Sequence, residues 1–270
     1  MQKEKIYMII DGHSHVTLPI EKHIKIMDAA GVDKTVLFST TFHPEKAKNF
    51  AETKTSIKFL SNLLNGKVGA MVEQRKKSVF ELAEAIHQYP SRYIGFGNVP
   101  IGLELEDTLK YVDEVIEKNH LAGMGEFTPG NGKISILNNI FKASQEFHHL
   151  PIWIHAFFPL TAQDIKEIAE SAKSYQNTPV ILGHLGGNSW IETVELVKEI
   201  PNLYLDTSAY YSTLVLKNVI NEIPEKCLFG VDGPFGDLQL SKDAIIKLSK
   251  TTSIAKAVLG ENIAKLLNIS

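Results

Sequence analysis

The 270-residue chain predicts an α/β fold: a single (β/α)8 barrel spanning 1–270, with an insertion after its second strand. Three observations carry this reading. Short apolar runs alternate with amphipathic stretches eight times along the chain. Those runs are hydrophobic nearly throughout, as strands of a parallel sheet covered on both faces must be. No glycine-rich phosphate-binding turn follows the first run, which argues against a dinucleotide-binding doubly wound sheet.

The first run, Y-M-I-I-D-G-H-S-H at 7–15, is a strand ending in polar residues. Residues 20–30 carry Ile20, Ile24 and Met27 at helical spacing, and Gly31 suits the helix end. K-T-V-L-F-S at 34–39 is the second strand. The lysine-rich stretch 40–75, with a helical patch at 57–64, is too long for a plain connection. It follows a strand, so it should emerge at the mouth of the barrel and cover it. A helix over 80–89 and a glycine-bearing strand at 93–99 come next.

The second half keeps the rhythm. Strands are predicted at 121–127, 151–157, 180–185, 203–208 and 227–232. Helices are predicted at 105–118, 136–148, 161–174 with Thr161 as N-cap, 190–199, 214–222, 240–250 and 261–267.

Composition excludes several classes. A net charge of −3 gives no global attraction to nucleic acid or anionic membranes. No apolar run is long enough to span a bilayer, and the N-terminus lacks a secretory pattern. Cys227 is the only cysteine, so no internal disulfide forms, which fits a reducing cytoplasm as the expected location. The expected partner is a small-molecule substrate; neither nucleic acid nor membrane is expected, and a homodimer is compatible with the chain.

The barrel gives meaning to the polar strand ends. His13 and His15 stand one pleat apart and share a face, as a metal-gripping pair would. Glu126, His155, His184 and Asp232 end four further strands, and C-terminal strand ends form the active-site face of such barrels. Singly, each has a plainer role as a cap, core or turn residue. Together they mark one site. Asp206 and Ser208 share a face of the seventh strand and could orient a histidine from behind. Phe157 is expected to wall the pocket and Trp153 to fill the barrel. His43, after the second strand, should lie at the mouth, and the other helix and loop histidines read as surface or structural.

The motifs Asp11-Gly12-His13-Ser14-His15, Gly125-Glu126-Phe127, Trp153-Ile154-His155, Gly183-His184-Leu185-Gly186-Gly187, Leu205-Asp206-Thr207-Ser208 and Phe229-Gly230-Val231-Asp232-Gly233-Pro234 occur in this order. Leu259-Gly260-Glu261-Asn262 follows near the C-terminus. In this ordered set the whole chain resembles the amidohydrolase superfamily. The similarity is to its amidohydrolase-related branch, which holds aminocarboxymuconate-semialdehyde decarboxylase and its hydrolase and hydratase relatives. The resemblance implies that His13, His15, His155 and Asp232 surround a metal, with His184 a ligand or an acid/base group beside it. It also implies a metal-binding or bridging role for Glu126. No lysine stands at the strand end where two-metal members carry a carboxylated one.

The implied cofactor is a divalent metal, zinc first, as one or two ions, with manganese, iron or cobalt allowed. Such an ion lowers the pKa of bound water and polarises a substrate oxygen. Asp232 is the expected proton carrier and His184 the expected stabiliser or relay. Three functions compete. Hydrolysis of a small ester, lactone, amide or phosphate bond is favoured. Nonoxidative decarboxylation of a small carboxylic acid is the alternative, weakened by there being only two arginines, Arg75 and Arg92. Arg92 precedes a strand and belongs to the far end, whereas the insertion could bring Arg75 over the mouth. A non-enzymatic binder is disfavoured by the complete ligand set.

Overall fold

The computed structural model describes residues 7–67 and 69–269. Eight parallel strands form one sheet in sequence order: β1 (Ile10–His15), β2 (Lys34–Phe38), β3 (Tyr93–Gly97), β4 (Gly123–Phe127), β5 (Ile152–Ile154), β6 (Val180–Leu182), β7 (Leu203–Asp206) and β8 (Cys227–Leu228). β8 is short, but the chain beyond it stays against β1. Gly12 N donates to Phe229 O (2.6 Å), Val231 N to His13 O (3.1 Å) and His15 N to Gly233 O (2.7 Å), which closes the barrel.

Helices fill the outer layer. They are α1 (Ile20–Ala30), α2 (Phe50–Leu64), α3 (Val72–Gln88), α4 (Leu105–Tyr111), α5 (Asn138–Glu146), α6 (Ala162–Ser174), α7 (Trp190–Glu199), α8 (Thr213–Glu222) and α9 (Leu238–Leu248), then the short α10 (Thr252–Lys256) and α11 (Asn262–Leu266). Local chemistry sets their ends. Gly31 stops α1 in a left-handed conformation (φ 66°) that costs glycine little. Thr161 caps α6, as the sequence predicts, and Asp164 completes the cap by accepting from the Thr161 backbone. Among the described residues, no helix is long and apolar enough to cross a membrane.

Two apolar layers hold the fold. One lies between strands and helices; the other fills the barrel with Ile10, Val36, Phe38, Phe96, Trp153, Ile181 and Leu228, and Ile263 of α11 joins it. A bulge interrupts the β1–β2 register between Asp11 and Ser14. The extra residue changes the phase of the strand. Ile10 therefore packs inside the barrel, and His13 and His15 face one another at its mouth, ring centroids 5.4 Å apart.

Several predicted bounds shift. Strand six ends at Leu182 rather than 185, and strand eight at Leu228 rather than 232. His184 (φ 60°) and Asp232 (φ 61°) have left-handed backbones, which cannot continue a ladder and instead turn their side chains toward the mouth. β5 ends at Ile154, so the strand alternation expected to carry Phe157 to the pocket stops before it. Its ring stacks on Tyr211 at 6.2 Å instead and does not line the central cavity. The helix predicted over 80–89 begins at Val72, so Arg75 belongs to the opening turns of α3 and the insertion proper ends before it. α2 runs from Phe50, capped by Asn49, well ahead of the predicted patch at 57–64.

Candidate metal centre

The six strand-end residues meet at the barrel mouth. Beneath them lies an aromatic floor: Phe38 is 4.7 Å and Trp153 is 5.7 Å from the His13 ring, centroid to centroid. Trp153 is fully buried, the barrel-filling role expected of it. That floor closes the cluster from below.

Glu126 sits at the centre. Its Oε1 is 3.1 Å from both His155 Nδ1 and His184 Nε2. Its Oε2 is 3.5 Å from His13 Nε2 and 3.6 Å from His15 Nε2. Asp232 Oδ1 completes the second group at 3.4 Å from His15 Nε2 and 4.0 Å from His13 Nε2. One carboxylate thus faces two pairs of imidazoles, a different oxygen toward each. His13, His15 and Asp232 form one candidate ligand triad, and Glu126, His155 and His184 another.

Three of the histidines have their tautomer set from behind. His13 Nδ1–H donates to Asp206 Oδ2 at 2.7 Å, which turns its Nε2 inward. His155 Nε2–H donates to the Phe158 carbonyl at 3.0 Å, which turns Nδ1 inward. The Ser208 hydroxyl donates to Asp206 Oδ1, so it accepts from His184 Nδ1–H at 2.8 Å and leaves Nε2 facing the centre. This backing by carboxylate, carbonyl and hydroxyl is how metal-ligating imidazoles are oriented. Asp206 and Ser208 therefore stand where the sequence suggests, each behind a histidine.

The donor set fits a divalent cation. His13 Nε2 is buried, with no hydrogen-bond partner, and points between Glu126 and Asp232. The electrostatics agree. Burial alone would lower the pKa of His13, but the Asp206 and Glu126 carboxylates more than offset it and hold it well above the usual imidazole value. Burial would raise Glu126, yet His13, His155 and His184 draw it well below the carboxylate range. Asp206 is lowered too: burial opposes ionisation, and His13 overrides it. Carboxylates that pull a proton onto His13 Nε2 would hold a cation there in its place.

Above the cluster opens a cavity of about 770 Å³, counting the part open to solvent. His15, Glu126, His155, His184 and Asp232 form its floor, and the insertion supplies an apolar wall from Phe42, Pro44, Leu60, Leu63 and Leu64. The expected cover is therefore in position. His43 lies aside from this cavity, in a neighbouring depression, with Nδ1 3.1 Å from Glu45 and Nε2 3.6 Å from Glu81. Arg92 is at the opposite end, paired with Asp28 at 2.8 Å. Sequence reasoning passed over Asn98 and Ser39, which also line the cavity: Ser39 Oγ accepts from Asn98 N (2.8 Å), and Asn98 Nδ2 donates to the Glu126 carbonyl (3.1 Å). Asn98 stands near the end of the strand predicted at 93–99, as Ser39 ends the one predicted at 34–39, and a polar residue at that register is the signal that marks both.

Residues 10–269 match the model of the amidohydrolase family. No protein of curated function matches the chain. Among solved structures, 2,6-dihydroxybenzoate decarboxylase from Rhizobium superposes with a TM-score of 0.69 at 15% identity, covering 98% of this chain and 99% of that one. 5-Carboxyvanillate decarboxylase from Sphingomonas paucimobilis gives 0.70 at 14% identity, covering 97% and 99%. A dihydroxybenzoic acid decarboxylase from Polaromonas sp., with bound manganese and 2-nitroresorcinol, gives 0.69 at 16% identity, covering 98% of each. At such identities the likeness speaks for the fold.

Proposed function

Because the chain belongs to the amidohydrolase family, we propose that it is a metal-dependent decarboxylase acting on a small carboxylic acid. The observation that carries the reading is the mouth cluster, where inward-turned imidazole nitrogens and two carboxylates form two adjoining ligand triads beneath the cavity. His13, His15, Glu126, His155, His184 and Asp232 are the proposed metal-holding set. A divalent first-row ion suits that mix of nitrogen and oxygen donors. Zinc is one candidate, and manganese is another, bound in a structural neighbour.

The sequence alone favours hydrolysis. Decarboxylation is preferred because the structural neighbours described above are decarboxylases that match nearly the full length. In that reaction the bond from carbon to carboxylate breaks, its electron pair stays on the carbon, CO2 leaves, and the carbon takes up one proton. A bound cation supplies Lewis acidity, drawing electron density toward a substrate oxygen. Asp232, at the cavity floor and 3.4 Å from His15, carries the proton that the carbon receives. His184, its Nδ1–H held by Ser208, can donate to the charge that develops on the substrate only when Nε2 is protonated, the state that the Glu126 carboxylate 3.1 Å away favours. The aromatic floor and the insertion exclude water that would compete for that charge.

Hydrolysis is kept as a second reading on one observation, the division of Glu126 between two pairs of histidines, which is the placement a carboxylate bridging two ions would need. The test is a screen of metal-loaded protein for CO2 release from hydroxybenzoates and related acids, run beside lactones, esters and phosphodiesters. Chelator-sensitive CO2 release is expected. Turnover confined to the hydrolytic panel would replace the proposal with the second reading.

A further inference from the structure

Asp11 is a buried carboxylate that the chemistry above does not use. It is fully buried, does not line the cavity and belongs to neither candidate ligand triad. Both of its oxygens are nevertheless committed. Oδ1 accepts from His13 N and from Val231 N, each at 3.1 Å. Oδ2 accepts from the Ser14 hydroxyl at 2.6 Å, and Ser14 Oγ in turn accepts from Gly233 N at 3.2 Å. One carboxylate thus holds Val231 directly and Gly233 through a hydroxyl. Between those two residues stands Asp232.

That stretch of chain needs holding. β8 stops at Leu228, well before Asp232. Backbone bonds to β1 do reach it: Asp232 N donates to His13 O at 2.6 Å, and His15 N donates to Gly233 O at 2.7 Å. Asp232 is also left-handed, with φ 61°, a conformation that a residue other than glycine keeps only where its surroundings over-determine it. The side chains of Asp11 and Ser14 add a constraint on each side of it. The approach is close, because a Cβ added at Gly233 would lie 2.8 Å from Ser14 Oγ. An apolar side chain at position 11 would fill the space without the desolvation cost of a carboxylate, so the acceptors are what the position requires.

We propose that Asp11 is a positioning residue: with Ser14 as its second arm, it clamps the backbone on both sides of Asp232 and aims that carboxylate at the reacting carbon. The aim rests on Asp232 as the proton carrier of the decarboxylase reading. The clamp itself belongs to the chain and is measurable apart from activity.

The test reads both in metal-saturated protein. Backbone opening is followed by hydrogen exchange in a peptide covering 229–236, and catalysis by kcat and KM for CO2 release from an acid that wild type turns over. Asp11→Ala removes both acceptor oxygens. Exchange over 229–236 should quicken about 10- to 100-fold, as orphaned buried donors imply. kcat should fall about 10- to 100-fold, the scale of a misplaced reacting group, while KM and metal content hold. Asp11→Asn keeps Oδ1 for the two N–H groups, and its NH2 can donate to Ser14 Oγ, so it should recover most of both. Unchanged exchange in Asp11→Ala, or unchanged kcat despite faster exchange, would overturn the proposal. Loss of metal from Asp11→Ala would overturn it too, by placing the effect on His13 and His15 through the bulge. So would an Asp11→Asn as impaired as Asp11→Ala, which would make charge the requirement rather than hydrogen bonding. If Asp11→Ala does not fold, Ser14→Ala decides. It severs only the arm to Gly233 and should show smaller changes of the same kind; none at all would overturn the clamp. If wild type releases CO2 from no acid, the decarboxylase reading fails, and the exchange comparison alone judges the clamp.

Discussion

Asp206→Asn changes one oxygen for one NH2, and the structure says why so small a change should matter. Five donors converge on the fully buried carboxylate. Oδ2 accepts from His13 Nδ1 (2.7 Å) and Trp153 Nε1 (2.6 Å). Oδ1 accepts from His184 N (3.1 Å), Ser208 N (2.7 Å) and the Ser208 hydroxyl. An asparagine must aim its NH2 at one of these groups of donors. Placed toward Trp153, it leaves an indole N–H buried and unpaired, since that group donates only. His13 could answer by moving its proton to Nε2, and its lone pair would then be lost to the centre. One unsatisfied buried donor costs about 1–3 kcal/mol, and the lost charge-assisted bonds cost a similar amount. The expected destabilisation is about 3–5 kcal/mol in urea unfolding of the metal-free protein. Metal affinity, read by chelator competition, should fall about 10- to 100-fold, as for other partners that orient a ligand from behind. A variant within about 0.5 kcal/mol of wild type and with unchanged metal affinity would refute this account of Asp206.

Two further predictions concern the rest of the barrel. His23 is buried against Tyr93, Nδ1 3.1 Å from the hydroxyl, and burial lowers its pKa from 6.5 to about 4. The fold therefore prefers the neutral ring, so the contribution is complete above pH 6.5 and is lost as pH falls toward 4. Between pH 8 and pH 5 wild type should lose about 2 kcal/mol more stability than His23→Phe, by linkage; parallel pH profiles in denaturant melts would disprove it. Gly260 approaches the first strand so closely that an added Cβ would lie 2.0 Å from the Met8 carbonyl oxygen. Gly260→Ala should cost about 1–3 kcal/mol through forced backbone movement, and a melting temperature equal to wild type would show that the neighbouring chain yields freely.

Much of the site was legible because strand ends carry their own signal. A buried apolar run that stops at His155, His184 or Asp232 announces both the strand and the polar group beyond it, and closure of the barrel does the rest. The terminal Leu259-Gly260-Glu261-Asn262 motif was legible too, but its work is structural: Asn262 Nδ2 donates to the Pro224 and Cys227 carbonyls, both at 2.7 Å, tying the last helices to the base of β8. What stayed hidden depends on tertiary geometry. The bulge in β1 leaves no mark in the residue pattern, although it puts Ile10 inside the barrel along with His13 and His15. Phe157 was misread because alternation was extended past Ile154, where the ladder stops. The pairing of Trp153 with Asp206 joins positions on two strands that nothing local connects. Arg75 reads in sequence as part of a polar connection, yet the helix it sits on begins at Val72.

The measurement that bears most directly on the central claim is the divalent metal bound per chain, by elemental analysis, in wild type and in a His13→Ala/His15→Ala double variant. These two imidazoles share a triad with Asp232 and meet Glu126 Oε2 at 3.5 and 3.6 Å. Wild type should carry at least about one ion per chain, and the folded double variant should have lost it. Equal metal content in the two proteins would contradict a metal centre at the barrel mouth.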